Sequence, residues 1–101
     1  MIVCNITIKV NSEIVDEWIN WQQNEHIPQT MATDMFDDYK MYHLFEYDDE
    51  EGITFTVQYF TSSIDKYQQF ISLFESTLRE KAFAKWGNQI TGFRTVMKSL
   101  P

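Results

Sequence analysis

Apolar and polar positions alternate along the first ten residues. Ile2, Cys4, Ile6, Ile8 and Val10 share one face of an extended chain, with Val3, Asn5, Thr7 and Lys9 on the other. That two-residue period predicts a strand. From Ser12 to Pro28 the period changes. Ile14, Val15, Trp18, Ile19 and Trp21 fall on one arc when wound at ~100° per residue, the stripe of an amphipathic helix. Asn11 or Ser12 supplies its cap, and Glu13 and Asp16 sit in the first turn, where the helix dipole favours acids. The same winding brings Gln22, Glu25 and His26 inside or to the edge of the arc. Polar groups on a core-facing stripe need partners. His26 either ends the helix on a carbonyl, aided by the C-terminal dipole, or faces a ligand. Pro28 stops the helix or starts a short turn through Met31.

Alternation resumes over Phe36 to Tyr47, with Tyr39, Met41, His43, Phe45 and Tyr47 set against Lys40, Tyr42, Leu44 and Glu46. Asp48 to Gly52 reads as a solvated hairpin tip, since it lacks the spaced ligands of a calcium loop. Ile53 to Phe60 is the return strand, Ile53, Phe55, Val57 and Tyr59 facing away from Thr54, Thr56, Gln58 and Phe60. Ser62 or Ser63 caps a second helix, and Ser62-x-x-Asp65 resembles a capping box. Its stripe runs through Ile64, Tyr67, Phe70, Ile71, Phe74, Leu78 and Ala82, but Phe83 and Trp86 drift off it. A bend or break is therefore expected between Ser76 and Phe83, with Gly87 ending the helix. Ile90 to Lys98 closes the chain as a strand, Thr91, Phe93, Thr95 and Met97 opposite Gly92, Arg94, Val96 and Lys98.

The order βαββαβ is the ferredoxin-like pattern, an α+β arrangement in which two helices cover one face of a four-stranded antiparallel sheet. At 101 residues it fits a single domain over 1–101. The uncovered face would carry Asn5, Thr7, Thr54, Thr56 and Gln58. Such a set is too polar for a sealed core and too neutral for a washed surface. It suits a semi-polar cavity or a sheet-on-sheet contact, and we expect a homodimer with the two sheets face to face.

Composition narrows the partners. Fifteen acidic against eight basic residues give a net charge of -7. That charge opposes nucleic-acid and anionic membrane partners. No apolar run approaches the ~20 residues of a bilayer span, and the N-terminus alternates where a signal peptide would carry an apolar core. The lone Cys4, which cannot form an intramolecular disulfide, suits a reducing cytoplasm, and on the apolar face of its strand it reads as an inert buried thiol.

Trp18-x-x-Trp21 followed by Glu25-His26-Ile27-Pro28, Gln58-Tyr59 ending the third strand, and Gly92-Phe93-Arg94-Thr95 near the end together resemble an uncharacterised bacterial family, a domain of unknown function. That family is similar to members of the dimeric α/β-barrel superfamily. The resemblance covers nearly the whole chain and implies the dimeric ferredoxin-like fold and a cytoplasmic setting, without an activity. The superfamily includes cofactor-independent monooxygenases, lactone isomerases and haem-degrading oxygenases. The last use an Asn on the first strand, a Trp ending the third and a His on the second helix. Asn5 matches the first of these, but the third strand ends in Tyr59-Phe60 and the second helix has no His. Haem degradation is not expected.

The residues themselves offer little assignable chemistry. There is no glycine-rich phosphate loop, no zinc-spaced Cys/His set and no nucleophile elbow around any Ser. No metal and no cofactor are expected. The candidate ligand-binding groups are Asn5, Trp18, His26, Tyr42, His43, Gln58, Tyr59 and Arg94. Arg94 stands mid-strand on the face opposite Phe93, either in a salt bridge or as an anion clamp. The sequence thus favours a domain that binds a small aromatic or polar-aromatic molecule or serves as an interaction module. The alternative is a cofactor-independent monooxygenase or isomerase with His26 or His43 as base.

Overall fold

In a computed structural model describing residues 1–101, four strands form one antiparallel sheet in the order β2-β3-β1-β4. β1 spans Ile2–Asn11, β2 Asp38–His43, β3 Gly52–Thr61 and β4 Ile90–Lys98. Long-range pairing fixes the register: Ile6 lies opposite Val57 on one side and Arg94 on the other. Because side chains alternate across a strand, Cys4, Ile8, Val10, Phe55, Val57 and Tyr59 share the buried, helix-covered face. Asn5, Thr7, Thr54, Thr56 and Gln58 point the other way, as the sequence pattern predicts.

The first helical run is one arm built from three windings. After a three-ten turn at Ser12–Ile14, whose Asn11 side chain accepts from the Glu13 N–H at 2.9 Å, α1 runs over Val15–Trp21. A π turn occupies Gln22–His26, and α2 continues over Ile27–Met31. Pro28 accounts for the change of winding: it has no N–H to give the carbonyl four residues back, and its ring crowds that turn. The wider turn has a consequence for direction. In an unbroken α-helix His26 would lie roughly 80° around the axis from Trp18; the extra residue taken up by the π turn swings it back toward the Trp18 line. Glu25 is left exposed. His26 therefore does not end a helix on a carbonyl, as one expectation had it. It sits inside a continuous arm, and its own carbonyl accepts from the Thr30 hydroxyl at 2.9 Å.

The second arm comprises α3 over Ile64–Leu73 and α4 over Glu75–Trp86. They are separated at Phe74, whose φ of -125° is not helical. The break falls before the expected Ser76–Phe83 window because the stripe loses register only after several turns beyond the kink; Phe83 ends up exposed. Ser63, rather than Ser62, caps α3 by accepting from the Lys66 N–H, so the Ser62–Asp65 capping box does not form.

β2 is shorter than the Phe36–Tyr47 strand expected. Phe36 turns inward and packs at 5.2 Å from the Tyr59 ring and 4.8 Å from Phe70, a burial worth more than one further ladder bond. The Leu44 N–H still donates to the Thr54 carbonyl at 2.9 Å, and beyond it the chain leaves the sheet. The Asp48 carboxylate, not the backbone of the first strand of the hairpin, accepts from the Thr54 N–H, and Glu46 adopts a left-handed φ of 71°.

The core is divided. One cluster gathers Cys4, Ile27, Phe36, Val57, Tyr59, Phe70 and Leu78, and the other Ile8, Val10, Trp18, Trp21, Phe55 and Trp86. Trp18 is wholly buried and Trp21 nearly so, as their shared stripe predicts.

Candidate functional site

Where the two clusters meet, the arms do not close on the sheet. A cavity of about 300 Å³ remains, at the lower end of the range for small-molecule sites. Its floor is the helix-facing side of β1 and β4 with Tyr59 of β3; its walls are the first arm, α4 and Phe70 of α3. Gly92 helps to keep it open. A Cβ there would come within 3.0 Å of the Thr7 carbonyl oxygen, so this position, paired with Ile8, contributes no side chain to the floor.

The first arm supplies Trp18, Trp21, Gln22, His26 and Thr30. Trp21 lies 4.7 Å from the His26 ring at an interplanar angle of 30° and meets Trp86 edge-on. The buried imidazole Nδ1 of His26 has no hydrogen-bond partner. Burial first, and then the charge of Lys81, hold its pKa down to about 4, so the ring is neutral near pH 7. The Trp18 Nε1, Tyr59 hydroxyl and Trp86 Nε1 are likewise buried without partners. The Thr30 hydroxyl donates to the His26 carbonyl, and no well-formed bond reaches the Tyr59 phenol. Burial dominates, pushing the Tyr59 pKa up. Buried polar atoms without partners are rare in folded proteins, and three of these four belong to residues lining one cavity.

The charged groups enter from β4 and α4. Arg94 Nη1 and Arg79 Nε each lie 3.6 Å from the same oxygen, Oε1 of Glu75, and all three residues line the cavity. These are ion pairs too long for hydrogen bonds. Cys4 stays a thiol, its pKa raised by burial to about 11 despite the opposing charge of Arg94.

Of the eight residues proposed from sequence, the fold brings four together here: Trp18, His26, Tyr59 and Arg94. The others lie elsewhere. Asn5, Tyr42 and Gln58 are on the open face, where Asn5 donates to the Thr7 hydroxyl at 3.2 Å. His43 lies at the sheet edge, bonded to Asp48 at 2.8 Å and packed on Phe45 and Phe55. Alternation separates these sets: residues one apart in strand register belong to opposite faces. Sequence reasoning missed Glu75 and Arg79, though their i,i+4 spacing on one helix face was visible. It also missed Thr30, for which only the π turn gives a reason.

A four-stranded βαββαβ sheet with both helical arms on one face is a ferredoxin-like fold, and solved structures bear this out. A dimeric ferredoxin-like protein from an uncultured marine organism superposes with a TM-score of 0.73 at 11% identity, covering 95% of this chain and 92% of its own. An ethyl tert-butyl ether D (EthD) family protein from Bacillus halodurans gives 0.68 at 16% identity, covering 99% and 100%. SnoaB, a cofactor-independent oxygenase from Streptomyces nogalater, gives 0.55 at 11% identity, covering 97% and 92%. No curated protein matches the sequence. The chain belongs to the domain of unknown function family DUF4286, whose model matches residues 1–100. No helix is long and apolar enough to cross a membrane.

Proposed function

We propose that this protein is a cytoplasmic homodimer that binds a small polar-aromatic molecule in the cavity between its helical arms and its sheet. One observation carries the reading: the cavity is walled by aromatic rings whose buried polar atoms lack partners in the chain. Aromatic walls supply apolar contact area, and a few unsatisfied donors and acceptors fix orientation. The dimer rests on the open face. Met97, 39% exposed, lies beside Val3 on a surface that no helix covers, next to Phe93, which also reaches the cavity rim, and a protein of similar fold is dimeric.

The test uses 2-naphthamide, a neutral planar aromatic with both donor and acceptor, titrated against tryptophan fluorescence. Saturable quenching is expected. Ala82→Phe, which places a ring into the cavity from α4, should abolish it while leaving circular dichroism unchanged. No saturable quenching, or quenching that survives a folded Ala82→Phe, would overturn the reading.

A second reading, cofactor-independent catalysis with His26 as proton acceptor, draws on the unpartnered neutral Nδ1 and on the fold shared with SnoaB. A base whose conjugate acid has a pKa of about 4 is a weak acceptor for a proton from a phenol or an activated carbon. Binding therefore stands first.

A further inference from the structure

We propose that the ligand of this cavity is an anion, an aromatic carboxylate or a compound presenting equivalent oxygens, held by Arg94 with Glu75 as a resident counter-ion that tunes its affinity. The inference rests on the binding function proposed above and names the class of molecule. Its basis is a local charge imbalance. Two guanidinium groups converge on one carboxylate oxygen, each at 3.6 Å, so the cluster carries one net positive charge in a chain of net charge -7. A second carboxylate would make it neutral.

Hydrogen-bonding capacity points the same way. Guanidinium presents five N–H donors in a planar fork suited to two carboxylate oxygens. The Arg94 contact with Glu75 is too long to use any of them well, although only about a third of the Arg94 side chain remains exposed. Arg79, with 71% of its side chain exposed, lies on the solvent side of the cluster. Inside, the walls are Trp18, Trp21 and Phe70, so a charged end at Arg94 and a flat apolar body among the aromatics match the two halves of the site. The neutral His26 leaves Arg94 as the cationic side chain facing the interior, since Lys81 is not among the lining residues.

Paired titrations of 2-naphthoate and 2-naphthamide, which differ in charge at one group, test this. The wild-type protein should bind the carboxylate about tenfold or more tightly than the amide, the range expected of hydrogen bonds to a charged group. Arg94→Gln should remove the carboxylate's advantage and bring the two to parity. Glu75→Gln should widen the carboxylate's advantage over the amide, because it removes the competing negative charge. Equal affinities in the wild type, or a carboxylate preference that survives Arg94→Gln, would overturn the assignment of an anion and leave the cavity a neutral-ligand site. Failure of both compounds to bind would overturn the binding function and this inference with it.

Discussion

The two faces of the sheet are built from the same strands and behave differently. On the helix-covered face, large side chains bury almost completely yet leave a cavity and four polar atoms without partners. On the open face no helix lies above, yet Thr54 and Thr56 are already buried, 8% and 9% exposed, between taller neighbours. Polarity alone thus does not locate a cavity. A cavity forms where rigid layers meet imperfectly: here between two core clusters, beside a glycine in the edge strand β4 and below an arm whose winding changes at a proline.

The comparison breaks most readily at Trp18. Removing the indole by Trp18→Ala should destabilise the fold by about 3–5 kcal/mol, the usual cost of truncating a buried Trp. Guanidinium denaturation measures it, and a near-wild-type midpoint would mean that the first arm does not pack on the sheet as described.

The pH dependence of stability comes next. Above pH 6.5, His26 is neutral in folded and unfolded chains alike. Between 6.5 and about 4 the unfolded chain takes up a proton that the folded one refuses, so stability falls as the pH falls, and the loss levels off once both are protonated. The shift corresponds to roughly 3 kcal/mol. Carboxylates titrate in the same range, so the check is a difference: wild type should lose about that much more than His26→Gln on going from pH 7 to 4. Parallel curves would place His26 in water.

Gly92→Ala should cost about 1–3 kcal/mol, because the new methyl meets the Thr7 carbonyl at 3.0 Å and backbone must move. Thermal melting reads it. The open face should give the smallest stability effect and a different kind of response. Met97→Lys, on the open face beside Val3, should alter the monomer's stability by no more than about 0.5 kcal/mol while shifting sedimentation from dimer to monomer. An unshifted dimer would move the interface elsewhere.

Much of the fold was legible because its periods are long and regular. β1, β3 and β4 follow their alternation, and the Trp18–Trp21 stripe points where the winding says. The departures have local causes. Phe36 left the strand pattern for a better burial site, and the kink at Phe74 preceded the loss of register it produced. For the site, sequence supplied Trp18, His26, Tyr59 and Arg94 but joined them with Asn5, Tyr42 and Gln58 from the opposite face. Which face holds a void depends on how closely helices approach a sheet, and no single-residue pattern encodes that distance. Glu75 and Arg79 gained meaning only when the kink in the second arm set the start of α4 above β4.

The measurement that separates the two faces most directly is a heteronuclear NMR titration of the intact protein with 2-naphthoate, following side-chain signals. The account predicts shifts at the Trp18 and Trp21 indole N–H groups and the Thr30 methyl, with the Thr56 methyl and Gln58 amide unmoved. Shifts confined to Thr56 and Gln58, with both indoles unmoved, would put the ligand on the open face and contradict it.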